Sequence, residues 1–387
     1  MRAVNFTSHN DLILLSCGVE FFPALLEAID AAKAEIFLET YIFAGDQTGD
    51  SVKAALIRAA ARGVSVYVIT DWLGTGHARA NLLDREFLQG GVRHRIFNPW
   101  LLRGPTRTHR KICVVDGELA FVGGININDD LFSDDDGRMP LPAPRWDFSV
   151  RIAGLLVDAI YRETKAQWAR LGKMNLASRI VMFQKLRKPL PIGSGRAALA
   201  GLVVRDNLRN RRTIQRAYLQ ALGTAHKSAL IANPYFAPGR RFRNALASAA
   251  ARGVDVTLLL GVGQFSLQDA VAHSFYPKLL KSGVKLVEYT KTQLHGKVAV
   301  IDDEWATVGS SNCDGLSLFL NQEANVVIKD AAFSRNLRLH IERGIADGVV
   351  IRLEDFAHVP WYKRIWYGTA FLIYRMLMRI ITLGGYD

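Results

Sequence analysis

The sequence predicts an α/β protein of two similar halves related by pseudo-twofold symmetry, and three observations carry that expectation. The stretch His109-Arg110-Lys111-Ile112-Cys113-Val114-Val115-Asp116 has a near copy in His295-Gly296-Lys297-Val298-Ala299-Val300-Ile301-Asp302, and each copy leads to a glycine turn, Gly123-Gly124-Ile125-Asn126 and Gly309-Ser310-Ser311-Asn312. The five residues Ala60-Ala61-Arg62-Gly63-Val64 recur unchanged as Ala250-Ala251-Arg252-Gly253-Val254. Helical and strand-like patterns also follow one another in the same order before and after residue 200. A repeat near half the chain length means two copies of one unit, and alternating helices and strands mean a sheet covered by helices.

From Glu20 to Lys33 apolar residues fall at helical spacing, and a strand follows from Glu35 to Phe43. A second helix is expected over about Ser51–Ala61, ending where Gly63 supplies a C-cap, and Val64–Thr70 reads as a buried strand that stops at Asp71. The second half repeats this with helices over Thr213–Ala225 and Arg241–Ala251 and strands over Ser228–Ala232 and Val254–Leu260. Between the halves, residues 172–200 carry Lys173, Arg179, Lys185, Arg187, Lys188 and Arg196 among apolar residues, then two prolines and a Gly-Ser-Gly, which reads as a basic, partly amphipathic linker. The tail from Trp361 to Leu383 is rich in aromatic and aliphatic residues but broken by Lys363, Arg364, Arg375 and Arg379, a composition suited to the headgroup boundary of a membrane rather than to crossing it.

At 387 residues the chain can form two domains with full cores, and the 49 Lys+Arg against 36 Asp+Glu leave +13, which favours a polyanionic partner, nucleic acid or an anionic membrane. Cys17, Cys113 and Cys313 are an odd number in apolar settings, so a reducing compartment without disulfides is expected. There is no Cys-x-x-Cys and no histidine pair at ligand spacing, so neither a metal nor another cofactor is expected. The first residues lack the apolar core of a signal peptide, and no uncharged stretch is long enough to span a bilayer.

Each His-x-Lys enters a strand, where side chains alternate faces, so His109 shares a face with Lys111, and His295 with Lys297. Asp116 and Asp302 fall on the opposite face and are expected to be structural partners. If the halves pack about the pseudo-twofold axis, both His/Lys faces meet in one cleft. Two imidazoles and two ammonium groups can cleave a phosphodiester without metal: one imidazole attacks phosphorus, the other protonates the departing alcohol, and the lysines neutralise the developing charge. The imidazoles must then start in opposite protonation states, giving a rate that falls at both low and high pH.

His-x-Lys-x-x-x-x-Asp twice, each followed by Gly-Gly/Ser-x-Asn, resembles the phospholipase D superfamily. Further stretches, Leu38–Phe43, Asp71–Gly74, Gly18–Ile29, Leu294–Asn312 and Leu316–Ile328, resemble its cardiolipin synthase branch, and the resemblance runs from about Leu12 to about Asp330. It implies two phospholipase D-like α/β/α sandwich halves, residues 1–171 and 201–357, joined by the linker 172–200 and followed by a membrane-surface tail, 358–387. It also implies a catalytic motif of His109, Lys111, Asp116, His295, Lys297 and Asp302, with His109 as nucleophile and His295 as acid and base, although the sequence leaves the reverse order open. By the same resemblance Asp147 and Glu323, matched in the two halves, orient the histidines, while Asn126 and Asn312 complete a phosphate site. Glu39, Tyr41, Asp71 and Asn233–Phe236 sit where strands end and rank lower, as does Arg205-Asp206-Asn207; the remaining histidines fit no motif.

The reaction so implied moves a phosphatidyl group from one phosphatidylglycerol to another through a phosphohistidine, on the cytoplasmic face of a bacterial cell membrane, with phospholipids and an anionic surface as partners and no nucleic acid. A phospholipase D-type phosphodiesterase or nuclease is the alternative enzyme. A lipid-binding protein that kept only the fold is the alternative from another class, and the intact His, Lys and Asn of both motifs weigh against it.

Overall fold

The computed structural model describes residues 4–102, 104–134, 139–172, 198–206 and 210–381. Its first half runs β1 (Thr7–Ser16), α1 (Cys17–Ala31), β2 (Glu35–Thr40), α2 (Gln47–Ala61), β3 (Ser65–Asp71), α3 (His77–Gln89), β4 (Arg93–Phe97), β5 (Ile112–Val115), β6 (Leu119–Gly123), β7 (Phe148–Gly154) and α4 (Leu156–Leu171). The second half repeats the plan with β8 (Ala198–Arg205), β9 (Ser228–Asn233), the short β10 (Phe236–Ala237), β11 (Asp255–Gly261), β12 (Lys285–Tyr289), β13 (Lys297–Ile301), β14 (Trp305–Gly309), the short β15 (Cys313–Asp314), β16 (Glu323–Lys329) and β17 (Gly348–Ile351). Most of the expected linker, residues 173–197, lies outside the described residues, and β8 begins within that stretch, at Ala198.

The strand order is β17-β12-β11-β9-β13-β14-β16-β8-β1-β7-β6-β5-β2-β3-β4. Read outward from the β8/β1 pair, the two arms carry equivalent strands in the same order: β7 and β16, β6 and β14, β5 and β13, β2 and β9, β3 and β11, β4 and β12. The antiparallel β1–β8 pairing joins the halves at the strand each contributes first. The arms face one another across a shared apolar core that takes Ile112, Val114 and Val150 from one and Val298, Val300 and Val326 from the other, closed by α4 and the helix Ala331–Ala346 through Leu156, Ile160, Leu337 and Ile341. Each outer sheet face is covered separately, by α1–α3 in the first half and by Thr213–Thr224, Arg240–Ala251 and Ser266–Lys281 in the second. Strands buried on both faces explain why the motif strands lack a polar alternation.

The repeated pentapeptide does the same work twice. Gly63 (φ 92) and Gly253 (φ 90) end their helices in the left-handed conformation that favours glycine. The arginine before each reaches back to the end of the preceding helix, Arg62 to the Ile29 carbonyl at 2.9 Å and Arg252 to the Leu222 carbonyl at 2.6 Å.

The tail forms a helix over Trp361–Ile381. One side docks on the second half, where Phe371 meets Phe275 edge-on (5.1 Å between centroids), Tyr367 lies against His273, and the Tyr374 hydroxyl accepts from Gly315 N at 2.7 Å. Trp361, Ile365, Leu372, Met376 and Ile380 stay exposed on the other side. Among the described residues, no helix is long and apolar enough to cross a membrane.

Leu337 is fully buried in the core between the arms. Leu337→Ala is expected to lower stability by about 2–5 kcal/mol, seen as a lower urea midpoint, because the surrounding sheets cannot collapse into the space.

Candidate active site

The motif strands β5 and β13 each run between a partner from their own hairpin and the first parallel strand of their half. That pairing buries both His-x-Lys segments where the arms meet. Backbone hydrogen bonds then tie each histidine to the other half: His109 N donates to the Gln322 carbonyl (2.9 Å), and His295 N to the Trp146 carbonyl (2.9 Å). The residues after those two carbonyls are the carboxylates Glu323 and Asp147. Each histidine is therefore oriented by the opposite half, a crossing that matched positions in two repeats do not reveal.

His109 Nδ1 lies 3.1 Å from Glu323 Oε2 and 3.0 Å from the Ser310 carbonyl. Both partners only accept, so Nδ1 carries the proton and Nε2 keeps its lone pair. His295 Nδ1 lies 2.5 Å from Asp147 Oδ2 and 2.8 Å from Lys297 Nζ, and the shorter contact, to an oxygen that only accepts, favours the same tautomer. The shorter Asp147 side chain comes in over Gly124, where an added Cβ would stand 2.2 Å from Asp147 Oδ1, so only glycine allows the approach. In the second half Ser310 takes the glycine's place, and its hydroxyl donates to Glu323 Oε2 at 2.5 Å.

Burial and neighbouring cations dominate the electrostatics. Burial, reinforced by the Lys111 ammonium, lowers His109 from its ordinary value to about 4. Burial and Lys297, whose Nζ is 2.8 Å from the ring nitrogen, hold His295 well below its usual range. Desolvation and the lysines both oppose a second proton on either ring and hold both imidazoles toward the neutral form. Burial also lowers Lys297 to about 8 and Lys111 well below its usual value. For Asp147, Lys297 and His295 outweigh the upward push of burial and hold it at about 2. Burial pushes Glu323 up, but His109, Lys111 and the Ser310 hydroxyl together outweigh it and lower it. Asp147, 4.0 Å from Lys297 Nζ, and Glu323 offset these buried cations only in part, and a phosphodiester anion would add the rest.

Of the residues ranked lower, three border His109. Asp71 Oδ2 accepts Thr108 N at 2.8 Å and is pushed by burial to about 6; the Thr108 hydroxyl donates to Glu39; and the Tyr41 ring meets His109 edge-on at 4.9 Å with Lys111 over its face at 5.2 Å. Asn126 lines a small cavity with His295 and Asp147, and its Oδ1 accepts Ile42 N at 3.2 Å. Asn312 is buried, with its side-chain oxygen unpaired among the described residues. Asn233 Oδ1 accepts Cys313 N at 3.0 Å and so props the turn that carries Asn312. Of the segment at 205, Arg205 is buried and donates to the Asn321 carbonyl beside Gln322, while position 207 lies outside the described residues.

Asp116 and Asp302, grouped with the catalytic residues by the motif, do not reach this site. At the far end of their strands, in left-handed turns (φ 53 and 54), each accepts three backbone N–H groups: Lys33, Ala34 and Glu35 for Asp116, and His226, Lys227 and Ser228 for Asp302. They pin each hairpin to the start of its neighbouring strand.

Asp134 had no sequence signal beyond an acidic run. Its Oδ2 lies 3.4 Å from His295 Nε2 and has no hydrogen-bond partner among the described residues. Asn128 Nδ2 at 2.6 Å and the Arg145 guanidinium hold its other oxygen. An imidazolium at His295 would be paired at both nitrogens.

Residues 25–136 and 218–345 match the family described as cardiolipin synthase, PLD-like domain. The chain is 37% identical over 393 residues to cardiolipin synthase B of Salmonella typhi, covering 97% of this chain and 90% of the relative. It is 38% identical over 354 residues to cardiolipin synthase B of Escherichia coli K12, with 87% and 81% covered. Among solved structures, the phosphatidylserine synthase of Haemophilus influenzae Rd KW20 shares the fold with a TM-score of 0.73 at 13% identity, over 98% of this chain and 97% of that one.

Replacing either orienting carboxylate by its amide is expected to lower turnover on the order of 10²–10⁴-fold while sparing the thermal midpoint, since Asp147→Asn and Glu323→Gln keep shape but not the tautomer. Asp302→Ala should do the reverse. It should lower stability by about 1–3 kcal/mol by stranding three N–H groups, yet leave the rate per folded molecule nearly intact. Because the Asp302 carboxyl is held below its usual value, its contribution is present above the ordinary aspartate range and lost as pH falls through the folded value, so Asp302→Ala should flatten acid unfolding, measured by circular dichroism.

Proposed function

The chain belongs to the cardiolipin synthase family of phospholipase D-like proteins, and we propose that it moves a phosphatidyl group from one phosphatidylglycerol to a second, releasing glycerol. The observation that carries the mechanism is the pair of crossed carboxylate–imidazole bonds. They put the proton of each ring on Nδ1 and leave each Nε2 for chemistry.

In this reading His109 Nε2 attacks phosphorus, and the P–O bond to the glycerol headgroup breaks. On substrate binding His295 Nε2 takes up a proton from solvent, favoured by the phosphodiester, Asp147 and Asp134, and passes it to the departing oxygen. Lys111 and Lys297 neutralise the non-bridging oxygens. A hydroxyl of the second phosphatidylglycerol then gives its proton to His295 and displaces His109, restoring both rings. Lipid alcohol must win over water at that step, which a closed site facing a membrane favours. An oriented pair of histidines from two halves also suits other phosphodiesters, so the nuclease reading differs in substrate rather than in machinery. The exposed apolar side of the tail helix supports the lipid.

The same helix supports a peripheral attachment to the cytoplasmic face of an anionic membrane. Its exposed apolar residues alternate with Lys363, Arg364, Arg375 and Arg379, and no acidic residue falls between 361 and 381. Binding to phosphatidylglycerol vesicles in a sedimentation assay is expected to weaken from 0.1 to about 1 M salt as the Debye length shrinks; undiminished binding at high salt would count against a role for these cations.

Purified protein with phosphatidylglycerol vesicles and a chelator should release glycerol and form cardiolipin, whereas single-stranded DNA should stay intact. A labelled phosphoenzyme is expected from the native protein and not from His109→Ala; recovering it from that variant would reverse the two histidines' roles. In kcat/KM, the acid limb should lie near pH 4, where His109 gains its proton, and the rate should fall again as pH rises through the values of His295 and the two lysines, all held below their usual ranges.

A further inference from the structure

We propose that the loops around the mouth of the cleft form an apolar rim that enters the acyl region of a phospholipid bilayer, so that a lipid phosphodiester reaches the histidines without leaving the membrane. The inference rests on the reading of a phospholipid as substrate, and it concerns residues that play no part in the chemistry described above.

Three loops carry the rim, and each is tied to a histidine through a short chain of contacts. Asp71, whose carboxylate holds Thr108 beside His109, is followed by Trp72, and Trp72 packs on Trp100 with ring centroids 5.5 Å apart. Trp100 is nonetheless 73% exposed, and Leu102 is 80% exposed. The backbone holds these side chains out: Asn98, Trp100 and Leu101 all take left-handed φ values (52, 57 and 54), a conformation that bulky residues rarely adopt. Asn98 fixes the loop through its amide, which donates to the Thr106 carbonyl at 2.7 Å, close before His109 in the chain.

Across the cleft the pattern recurs. Phe132 is exposed two residues before Asp134, whose carboxylate lies 3.4 Å from His295 Nε2. Phe265 is also exposed. Its ring lies at a tilt 5.8 Å from that of Tyr235, whose hydroxyl donates to the Gln264 side-chain oxygen at 2.7 Å, and the Gln264 amide reaches the Leu294 carbonyl next to His295. Loops linked by such contacts to both histidines thus carry outward-facing aromatic or aliphatic side chains, where loops facing water would carry polar ones.

A bilayer is the occupant that fits. One helix links this loop to the tail: Ser266–His273 starts beside Phe265, and its last residue, His273, packs on Tyr367 of the tail helix. The +13 charge and the cations of the tail suit an anionic surface beneath that apolar edge. Tryptophan and leucine at such a depth gain by leaving water while the catalytic lysines remain at headgroup level.

The test is the double variant Trp100→Ser/Leu102→Ser, checked by circular dichroism for an unchanged fold. Two substrates are compared: phosphatidylglycerol in vesicles, and dihexanoyl phosphatidylglycerol below its micellar concentration. Vesicle sedimentation and turnover on vesicles are expected to fall by on the order of 10- to 100-fold, the transfer of two large apolar side chains. Turnover of the monomeric short-chain lipid should stay within about twofold. In the native protein, lipids brominated on the acyl chains should quench tryptophan fluorescence more than in Trp100→Phe. Unchanged turnover on vesicles would overturn the rim, and so would an equal loss on both substrates or association of the native protein into dimers that the variant abolishes. Failure of the functional reading looks different, since the native protein would then turn over neither lipid.

Discussion

The structure depends on one reciprocal arrangement: each half supplies a histidine and the other half supplies the carboxylate that holds it. Neither imidazole has its orienting carboxylate from its own half, because Glu323 faces His109 and Asp147 faces His295. The constraint acts on the whole molecule. It requires the two arms of the sheet to fold together, the backbone at Gln322 and Trp146 to bond the opposite histidine, and small residues at Gly124 and Ser310 to admit the carboxylates. A buried charge is tolerated only when paired, and the crossed pairs couple the fit of the halves to the state of the site.

Burial gives the site its chemical character. Lys297 is fully buried and Lys111 nearly so, with their ammonium groups close to imidazole rings that are themselves hidden from water. This burial costs free energy, and the depressed affinity for protons at His109, His295, Lys111 and Lys297 expresses that cost. A bound anion would relieve it. The carboxylates do not cancel the cations, because each spends its charge on a ring N–H facing away from the reacting nitrogen.

The motif aspartates show how a sequence pattern can join two jobs. His and Lys at the start of the strand face the cleft, while Asp116 and Asp302 at its end cap the first residues of β2 and β9. One segment thus holds the sheet at one end and presents the His/Lys pair at the other. The apolar surface is divided in the same way: the tail helix spends one side on the protein's own core and leaves the other free.

The sequence by itself determined the elements and their faces. Period-two alternation placed His109 with Lys111 and set Asp116 apart, helical spacing located α1, α2 and the helices Thr213–Thr224 and Arg240–Ala251, and the pentapeptide at Arg62 and Arg252 marked equivalent helix ends. These are local properties, written within a few residues of one another. Tertiary structure decided the rest. The pairing of His109 with Glu323 spans 214 positions and that of His295 with Asp147 spans 148, distances over which no spacing rule applies. The place of Asp134, the support of Thr108 by Glu39 and Asp71, and the neutral state of both imidazoles follow from how two sheets close on each other and exclude water. Strand geometry fixes which way a side chain points; only packing fixes what it meets.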